Sequence, residues 1–398
     1  MRRVVITGIG IVAALGMGRE AVWQSLISGN HVRTLPRQFD CRSYRAPFTT
    51  TVDHEALMAA VDLATVDRLT HPCADFGLVA ATEALAQAHM DPIRDALDMG
   101  LSVGTTSGGC VDACLASVFF NSPVSPDALA GFSVSDATEQ IAARLQLTGP
   151  VCTFSSACTS SAISVIHAVE LIRNGDTDVM IAGGCDALRE IDYAGFNALR
   201  ILTADDIRPF DIDRKGMIIG DGAAMLVMEE IEHARSRGAA IIAEIKAFGM
   251  SCDAFHVTAP NALGAAAAMR AALDQADLRP EQIQYVNCHG TATIANDKAE
   301  IIALETVFNA HGGDLYATST KSSTGHLLGS VGGLEACITA LAIQHQMIPP
   351  MPTLRNLDPM VGFKVVQHDA ARTPIQHALS NSFGFGGNNA SILIGRCP

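Results

Sequence analysis

Residues 151–175 read VCTFSSACTSSAISVIHAVELIRNG, and this stretch joins a short apolar strand to a helix through a turn of small polar residues. Between Ala162 and Ile172 the apolar residues recur at steps of three and four, which predicts an amphipathic helix that ends at Asn174-Gly175. Cys158 lies where the helical pattern begins, and the small residues around it leave room for a substrate. The stretch therefore predicts an α/β fold with an accessible cysteine at a strand–helix junction.

Two interpretations of Cys158 fit this stretch. A thiol in the first turn of a helix lies near unpaired backbone N–H groups and the positive end of the helix dipole, which favour the nucleophilic thiolate. The same position also suits a small buried hydrophobic residue, which is what most free cysteines are. The stretch alone leaves both interpretations open.

Length and composition limit the function classes. The chain has 398 residues, of which 48% are hydrophobic and 17% charged, so it can form either two domains or one large duplicated domain around a deep core. Its net charge is −14, from 27 basic and 41 acidic residues. A nucleic-acid partner is not expected, because a net acidic protein repels phosphate. An acidic protein partner would need a local basic patch.

The cysteine pattern and the N-terminal sequence indicate the cellular compartment of the protein. The chain has 11 cysteines without a CxxC pair, which predicts reduced thiols in the cytoplasm and no metal site. Residues 1–18 read MRRVVITGIGIVAALGMG, and the glycines break the apolar run too often for a signal peptide. Instead, Val4–Ile6 predicts a buried strand that enters a tight turn at Thr7–Gly10. No apolar run is long enough for a membrane span.

The second half of the chain repeats the order of the first. A helical pattern over residues 76–88 precedes the predicted strand 99–104, and a helical pattern over 265–276 precedes the predicted strand 283–287. We therefore expect two similar α/β halves, residues 1–240 and 241–398, that share one core. The glycine-rich ends of their strands are expected to meet at one place, where sites in α/β sheets form.

Three more stretches carry residue types that suit chemistry at strand ends or in glycine loops. They read NCHGTAT at residues 287–293, KSSTGH at 321–326 and NSFGFGGNN at 381–389. A single histidine is usually structural, and a glycine-rich loop is usually a turn. Their common position, at the end of a strand or in a glycine loop as for Cys158, raises the probability of a shared site.

Together with SSACTSS around Cys158, these stretches resemble the signatures of β-ketoacyl-acyl-carrier-protein synthases of the elongating, Cys-His-His type, in the family's order and at near-family spacing. The resemblance implies the thiolase fold, a duplicated five-layer αβαβα architecture, and a dimer. It implies decarboxylative Claisen condensation of an enzyme-bound acyl chain with malonyl-acyl carrier protein, giving 3-oxoacyl-acyl carrier protein and CO2. The substrates would arrive on the phosphopantetheine of acyl carrier protein, and neither a cofactor nor a metal is expected.

The resemblance also implies roles for the central residues. Cys158 would be the nucleophile, and its backbone N–H would form an oxyanion hole with that of Phe385. His289 and His326 would donate hydrogen bonds to the malonyl thioester oxygen, which requires neutral imidazoles whose N–H is fixed by neighbouring groups. Lys321 would form a buried ion pair with Glu300, and a purely structural role for Lys321 fits equally well.

Further residues are assigned by the same resemblance. Asp297 would belong to the Lys321–Glu300 network, and the remaining assignments are to substrate contacts and carrier docking. They are Thr291 and Thr293 for the pantetheine arm, Phe383 for substrate, Phe385 as a gate, Ser107 in the acyl pocket, and Arg68 and Arg208 for the carrier protein. Because Ser107 replaces a bulky aliphatic residue of some relatives, longer or unsaturated acyl chains are expected to fit.

Several departures leave the pathway open. TIAND at residues 293–297 is more similar to type II polyketide ketosynthases than to fatty-acid enzymes, and DAFHVTAP at 253–260 is more similar to type II synthases than to type I synthases. Fatty-acid and polyketide or polyene elongation therefore both fit, as does a ketosynthase subunit paired with a non-catalytic chain-length factor in secondary metabolism. A homodimer and a heterodimer both remain open. The presence of Cys158 disfavours a chain-length factor, and His326 disfavours an initiating synthase.

Overall fold

A computed structural model describes residues 1–60, 71–92, 98–108, 133–308 and 314–398. The strands are β1 Val4–Ala13, β2 Gly16–Met17, β3 Met99–Gly104, β4 Val151–Phe154, β5 Val179–Asp186, β6 Gly222–Glu230, β7 Ala243–Cys252, β8 Tyr285–Asn287, β9 Tyr316–Thr318, β10 Met347–Ile348, β11 Ala371–Arg372, β12 His377–Phe383 and β13 Asn388–Gly395. The helices are α1 Arg19–Ile27, α2 His54–Ala60, α3 Pro72–Ala88, α4 Asp136–Arg144, α5 Ser160–Asn174, α6 Glu190–Ala198, α7 Ile231–Ser236, α8 Ala262–Ala276, α9 Ile294–Phe308, α10 Lys321–Thr324 and α11 Val331–His345.

Two five-stranded halves with one plan make up most of the main sheet, and the short strand β2 pairs with β1 as its eleventh strand. The first half has the strand order β4-β3-β5-β6-β1, and the second half has the matching order β9-β8-β12-β13-β7. In each half the first three strands are parallel and the last two are antiparallel to their neighbours. A short pairing of β1 with β7 joins the halves. The predicted internal repeat is therefore present in the sheet itself.

Helices lie on both faces of each half and complete five layers. Helix α3 packs on one face of the first half, and α8 packs on the outer face of the second half. Helices α5 and α11 lie between the two halves and contact strands of both. The largest hydrophobic cluster fills this middle region, as expected when apolar strands are covered on both faces. This arrangement is the predicted duplicated αβαβα architecture.

The N-terminal strand differs from the sequence-based expectation. Strand β1 continues through the predicted turn at Thr7–Gly10, with a register shift between Ile6 and Gly8. Its glycines admit helix α3, because a Cβ on Gly8 would lie 2.1 Å from the carbonyl oxygen of Ala84. These glycines therefore serve close packing of a helix on a strand rather than a turn.

The boundary predicted near residue 240 falls between helix α7 and strand β7 and stays a prediction. In the part of the chain that the structure describes, no helix combines the length and the apolar character needed to cross a bilayer.

Candidate active site

One cysteine and two histidines from distant parts of the chain meet where strands of both halves end. Cys158 follows β4, His289 follows β8, and His326 follows the short helix α10. One side-chain N or S atom of each lies within 4.8 Å of those of the other two. All three residues are buried, and the two imidazole rings are perpendicular with centroids 5.5 Å apart.

The backbone around Cys158 forms a tight turn rather than the first turn of a helix. Ala157 has a φ of 49°, and helix α5 begins at Ser160, so Cys158 precedes the N-cap residue Thr159. Burial raises the pKa of the Cys158 thiol to about 11, although the positive charge of Lys321 lowers it. Desolvation of the anion thus outweighs the favourable charges in the free site, and stabilisation of a thiolate by the helix N-terminus stays a prediction.

Hydrogen bonds fix the tautomer of both histidines. The backbone N–H of Leu328 donates to Nδ1 of His326 at 3.0 Å, and the Lys321 ammonium lies 3.4 Å from Nδ1 of His289. Because both groups are donors, each imidazole carries its proton on Nε2. Burial lowers the pKa of His326 to about 3 and lowers that of His289 well below its usual value, and Lys321 adds to both shifts. The site thus holds two neutral N–H donors.

The ion-pair partner of Lys321 is Glu335 of helix α11, not the predicted Glu300. The Lys321 ammonium and a Glu335 carboxylate oxygen are 2.5 Å apart, and both side chains are buried. Burial raises the pKa of Glu335 to about 7, and the charge of Lys321 opposes that shift. The predicted pairing with Glu300 was based on resemblance. In the structure, helix α11 places Glu335 next to Lys321 of helix α10, so Glu335 forms the ion pair instead. Glu335 was missed, although a single carboxylate in the apolar run of α11 is an unusual signal.

Glu300 instead holds the turn that presents His289. Its two carboxylate oxygens accept hydrogen bonds from the backbone N–H groups of His289 and Gly290, at 2.8 and 2.7 Å. Burial raises the pKa of Glu300 to about 7. Two amide donors aimed at one carboxylate make Glu300 a positioning group for the loop after β8.

Asp297 holds a neighbouring loop and is not bonded to Lys321 or Glu300. It accepts hydrogen bonds from the backbone N–H groups of Phe210 and Ala292. Burial raises its pKa to about 6. Its predicted membership of the lysine network is therefore corrected to a separate backbone-holding role.

A second buried carboxylate that the sequence did not reveal is Asp186, at the end of β5. It accepts hydrogen bonds from the Thr105 hydroxyl and from the backbone N–H groups of Thr106 and Ser330. These contacts connect the loop after β3 with the turn that follows His326. Asp186 therefore holds the strand ends of the first half against the second.

The donor set does not suit a metal ion, although the spacing of Cys158, His289 and His326 would admit one. A metal binds the lone pair of an imidazole nitrogen. Here both Nδ1 lone pairs face donors, Leu328 N–H and Lys321, so each Nε2 carries hydrogen. Nε2 of His326 is buried without a hydrogen-bond partner among the described residues. A hydrogen-bond acceptor, such as a carbonyl oxygen, suits this N–H group better than a cation does.

A cavity of about 350 Å³ leads from this centre to the surface. Its described lining includes all three central residues, and Thr291, Thr293, Phe383 and Phe385 line it as well. The Thr291 and Thr293 hydroxyls are 2.9 Å apart.

Ser107 is not part of the described lining of this cavity. It lies half-buried on the loop after β3, so its acyl-pocket role stays a prediction.

The glycine-rich loop over residues 384–387 lies directly against the nucleophile turn. A Cβ on Gly384 would be 3.5 Å from the backbone nitrogen of Cys158. The loop is held by the N–H groups of Gly384, Gly386 and Gly387, which donate to carbonyls of Asn388, Val257 and Gly384. The N–H of Phe385 takes no part in these bonds. The Phe383 ring lies 5.9 Å from that of His289.

Comparison with known families accounts for this arrangement. The N-terminal domain model of beta-ketoacyl synthases matches residues 1–234, and the C-terminal domain model matches residues 242–355. The chain belongs to the beta-ketoacyl synthase family. It is 37% identical over 425 residues to 3-oxoacyl-[acyl-carrier-protein] synthase 2 of Rhizobium meliloti, a match that covers 100% of this chain and 99% of the relative.

Solved structures of ketosynthases have the same fold. The ishigamide ketosynthase/chain length factor superposes with a TM-score of 0.91 at 31% identity, and 100% of each chain is covered. A type II PKS acyl-carrier protein in complex with its ketosynthase gives a TM-score of 0.90 at 26% identity, again over 100% of both chains. The thiolase fold expected from the four motifs is therefore confirmed.

The predicted carrier-docking arginines of this ketosynthase have different outcomes. Arg208 is buried, with 5% of its surface exposed, and its guanidinium pairs with Asp205 at 2.7 Å. A docking residue must be exposed, so the docking role of Arg208 is wrong. Arg68 lies outside the described residues.

Proposed function

We propose that this ketosynthase joins a Cys158-bound acyl chain to malonyl-acyl carrier protein with loss of CO2, giving 3-oxoacyl-acyl carrier protein. One observation carries the assignment of roles: a thiol and two neutral Nε2–H donors meet at the inner end of one cavity. The thiol supplies a nucleophile, and the paired donors supply a site for an oxygen that gains negative charge. No cofactor is needed for these steps.

The first step is acyl transfer to Cys158. The sulfur attacks the acyl thioester, the bond between the acyl carbon and the pantetheine sulfur breaks, and the thiol proton ends on the departing pantetheine sulfur. The backbone N–H groups of Cys158 and Phe385 stabilise the tetrahedral oxyanion. Because the pKa of Cys158 is about 11, the thiolate forms during the reaction rather than beforehand.

The second step is decarboxylation of the malonyl thioester. Its carbonyl oxygen accepts hydrogen bonds from Nε2–H of His289 and His326, and these bonds strengthen as CO2 leaves and an enolate forms. Each such donor is worth about 3 kcal/mol or more in the barrier. The enolate carbon then attacks the acyl carbon on Cys158, the carbon–sulfur bond breaks, and the sulfur leaves as a thiolate that takes a proton from water. Thr291 and Thr293 hold the pantetheine arm along the cavity.

The partners we propose are acyl carrier protein and a second subunit. A solved relative binds an acyl-carrier protein, which supports the first. A homodimer fits fatty-acid elongation, whereas similarity to the ishigamide ketosynthase/chain length factor favours, as a second candidate, a heterodimer in secondary metabolism. Mass measurement of the native complex separates the two. Every cysteine among the described residues is a free thiol, which supports work in the reducing cytoplasm.

Intact-mass measurement tests the proposal. After incubation with octanoyl-acyl carrier protein, the protein gains one octanoyl group, and malonyl-acyl carrier protein then releases it as the 3-oxo product. The Cys158→Ala variant gains no octanoyl group, whereas the matched variant Cys152→Ala, changed in the adjoining strand β4, behaves as the native protein. An octanoyl adduct that persists in Cys158→Ala, or the absence of any adduct in the native protein, contradicts the assignment.

A further inference from the structure

The turn that follows His326 has a strained backbone. Leu328 has a φ of 50°, in the left-handed region that residues other than glycine adopt only at a cost. In this conformation the backbone N–H of Leu328 donates to Nδ1 of His326 at 3.0 Å. That bond keeps the imidazole proton on Nε2 and fixes the orientation of the ring. A strained backbone persists only where its surroundings hold it, so the groups that hold this turn also hold His326.

Besides the bond to His326, three side-chain hydrogen bonds of the described residues hold the backbone of residues 327–330. The backbone N–H of Ser330 donates to a carboxylate oxygen of Asp186 at 2.9 Å. The Ser330 hydroxyl donates to the carbonyl of Leu327 at 2.7 Å, and the Ser161 hydroxyl donates to the carbonyl of Gly329 at 2.6 Å. Asp186 supplies the one carboxylate among these holding groups, and hydrogen bonds to a charged acceptor are the strong ones.

Asp186 anchors this turn to a rigid part of the first half. It ends strand β5, which pairs with β3 on one side and with β6 on the other. Its second oxygen accepts hydrogen bonds from the Thr105 hydroxyl and the backbone N–H of Thr106, and the carbonyl of Thr106 accepts one from the Ser155 hydroxyl. Burial raises the pKa of Asp186 to about 7, and the hydrogen bonds that it accepts oppose this rise. Donors face both of its oxygens, which suits the ionised form.

We propose that Asp186 is a positioning residue for His326: its carboxylate holds the left-handed turn at Leu328, and this turn aims the Nε2–H of His326 at the malonyl thioester oxygen. This role deepens the proposed function and rests on it. Asp186 is not among the described residues that line the cavity, so it acts through the turn and not on the substrate. His289 does not depend on this turn, because the Lys321 ammonium lies against its Nδ1. The two imidazoles are therefore fixed by separate groups.

The first part of the test separates the two half-reactions. Asp186→Ala removes both acceptor oxygens, and Asp186→Asn leaves one oxygen for three donors. Each variant is octanoylated on Cys158, and CO2 release from labelled malonyl-acyl carrier protein is followed in a single turnover at about pH 8, above the pKa of Asp186. Because a misplaced donor is inefficient, CO2 release per folded molecule should fall by about tenfold or more in Asp186→Ala and by less in Asp186→Asn. The rate of octanoylation should stay near that of the native protein.

The second part is nitrogen NMR of protein labelled in its histidine rings, which gives a readout that a merely structural role would not move. The Nδ1 resonance of His326 should shift in both Asp186 variants, whereas the Nδ1 resonance of His289 should not. The control is Glu229→Gln, which changes a buried carboxylate at the far end of the β5–β6 strand pair. It should change neither resonance and neither rate per folded molecule.

Three results would overturn the role of Asp186 alone. They are native CO2 release per folded molecule in the Asp186 variants, equal losses of octanoylation and CO2 release, and equal shifts of the His289 and His326 resonances. Asp186→Asn keeps the shape of the side chain and carries the same test if Asp186→Ala does not fold. A native protein that is not octanoylated, or that releases no CO2, overturns the proposed function, and the NMR comparison then still tests whether Asp186 holds His326.

Discussion

Breaking the Lys321–Glu335 pair should separate its structural role from its role in the reaction. Lys321 is fully buried, and its ammonium has Glu335 at 2.5 Å and neutral His289 at 3.4 Å. The variant Glu335→Gln leaves that ammonium without a counter-charge. A buried pair broken in this way costs about 3–5 kcal/mol in the free energy of unfolding.

The double variant Lys321→Met/Glu335→Leu removes both charges. We expect it to regain most of that stability, because an apolar replacement of a buried ion pair is often neutral. It should not regain activity, since Nδ1 of His289 loses the donor that keeps the proton on Nε2. One hydrogen bond to a charged group is worth about 1.5–3 kcal/mol, which corresponds to a rate loss of about 10-fold to 150-fold.

The assay is denaturant unfolding together with a single turnover of pre-acylated enzyme and labelled malonyl-acyl carrier protein. Pre-acylation avoids the effect of Lys321 on the Cys158 thiol. The control is Glu229→Gln, near the C-terminal end of strand β6. It disturbs a buried carboxylate that is bonded to His233 and Arg237 and does not line the active-site cavity. That variant should lose stability but keep its turnover per folded molecule. Full turnover in the double variant would refute a role for the pair beyond packing.

Four further outcomes follow from the geometry. Alkylation of Cys158 by iodoacetamide should accelerate about tenfold per pH unit from pH 7 to 10, because the raised pKa of about 11 keeps the thiolate fraction rising throughout; a plateau below pH 8 would show a preformed thiolate. Gly104→Ala should abolish activity and destabilise the fold by about 3 kcal/mol or more, since its Cβ would lie 2.1 Å from the backbone of helix α5. Gly195→Ala, whose Cβ meets nothing within 4 Å, should stabilise helix α6 by about 0.5–1 kcal/mol in the same unfolding assay. Glu300→Gln should cost about 1–3 kcal/mol of stability by leaving one N–H of the His289 turn unpaired, and unchanged unfolding would contradict its positioning role.

The central residues could be predicted from the sequence because four stretches, each a weak signal alone, occur together in the order of one family. Cys158 and His289 each follow a short strand, His326 lies in a polar segment between glycines, and the repeated order of elements places strand ends together. The structural roles of the glycines in the first strand were harder to predict from the sequence. Gly8 and Gly10 suggested a turn, yet they give helix α3 access to strand β1. Local sequence does not distinguish a turn from close packing, which depends on a distant partner.

Long-range contacts and burial explain the remaining errors. Which carboxylate meets Lys321 depends on how helix α11 packs against helix α10, and no spacing rule gives that contact. The raised pKa of Cys158 likewise arises from burial by the surrounding loops. The burial of Arg208 could not be predicted either, because it also depends on long-range contacts. From sequence alone, an arginine in a polar stretch resembles a surface residue.

The most direct test of the account is CO2 release from labelled malonyl-acyl carrier protein by His289→Ala and His326→Ala after each variant has been octanoylated on Cys158. Because the two imidazoles act on the malonyl oxygen, each variant should still accept the octanoyl group. Each should release CO2 at least about 100-fold more slowly than the native enzyme. Native rates of CO2 release in either variant would contradict the claim that both Nε2–H groups stabilise the enolate.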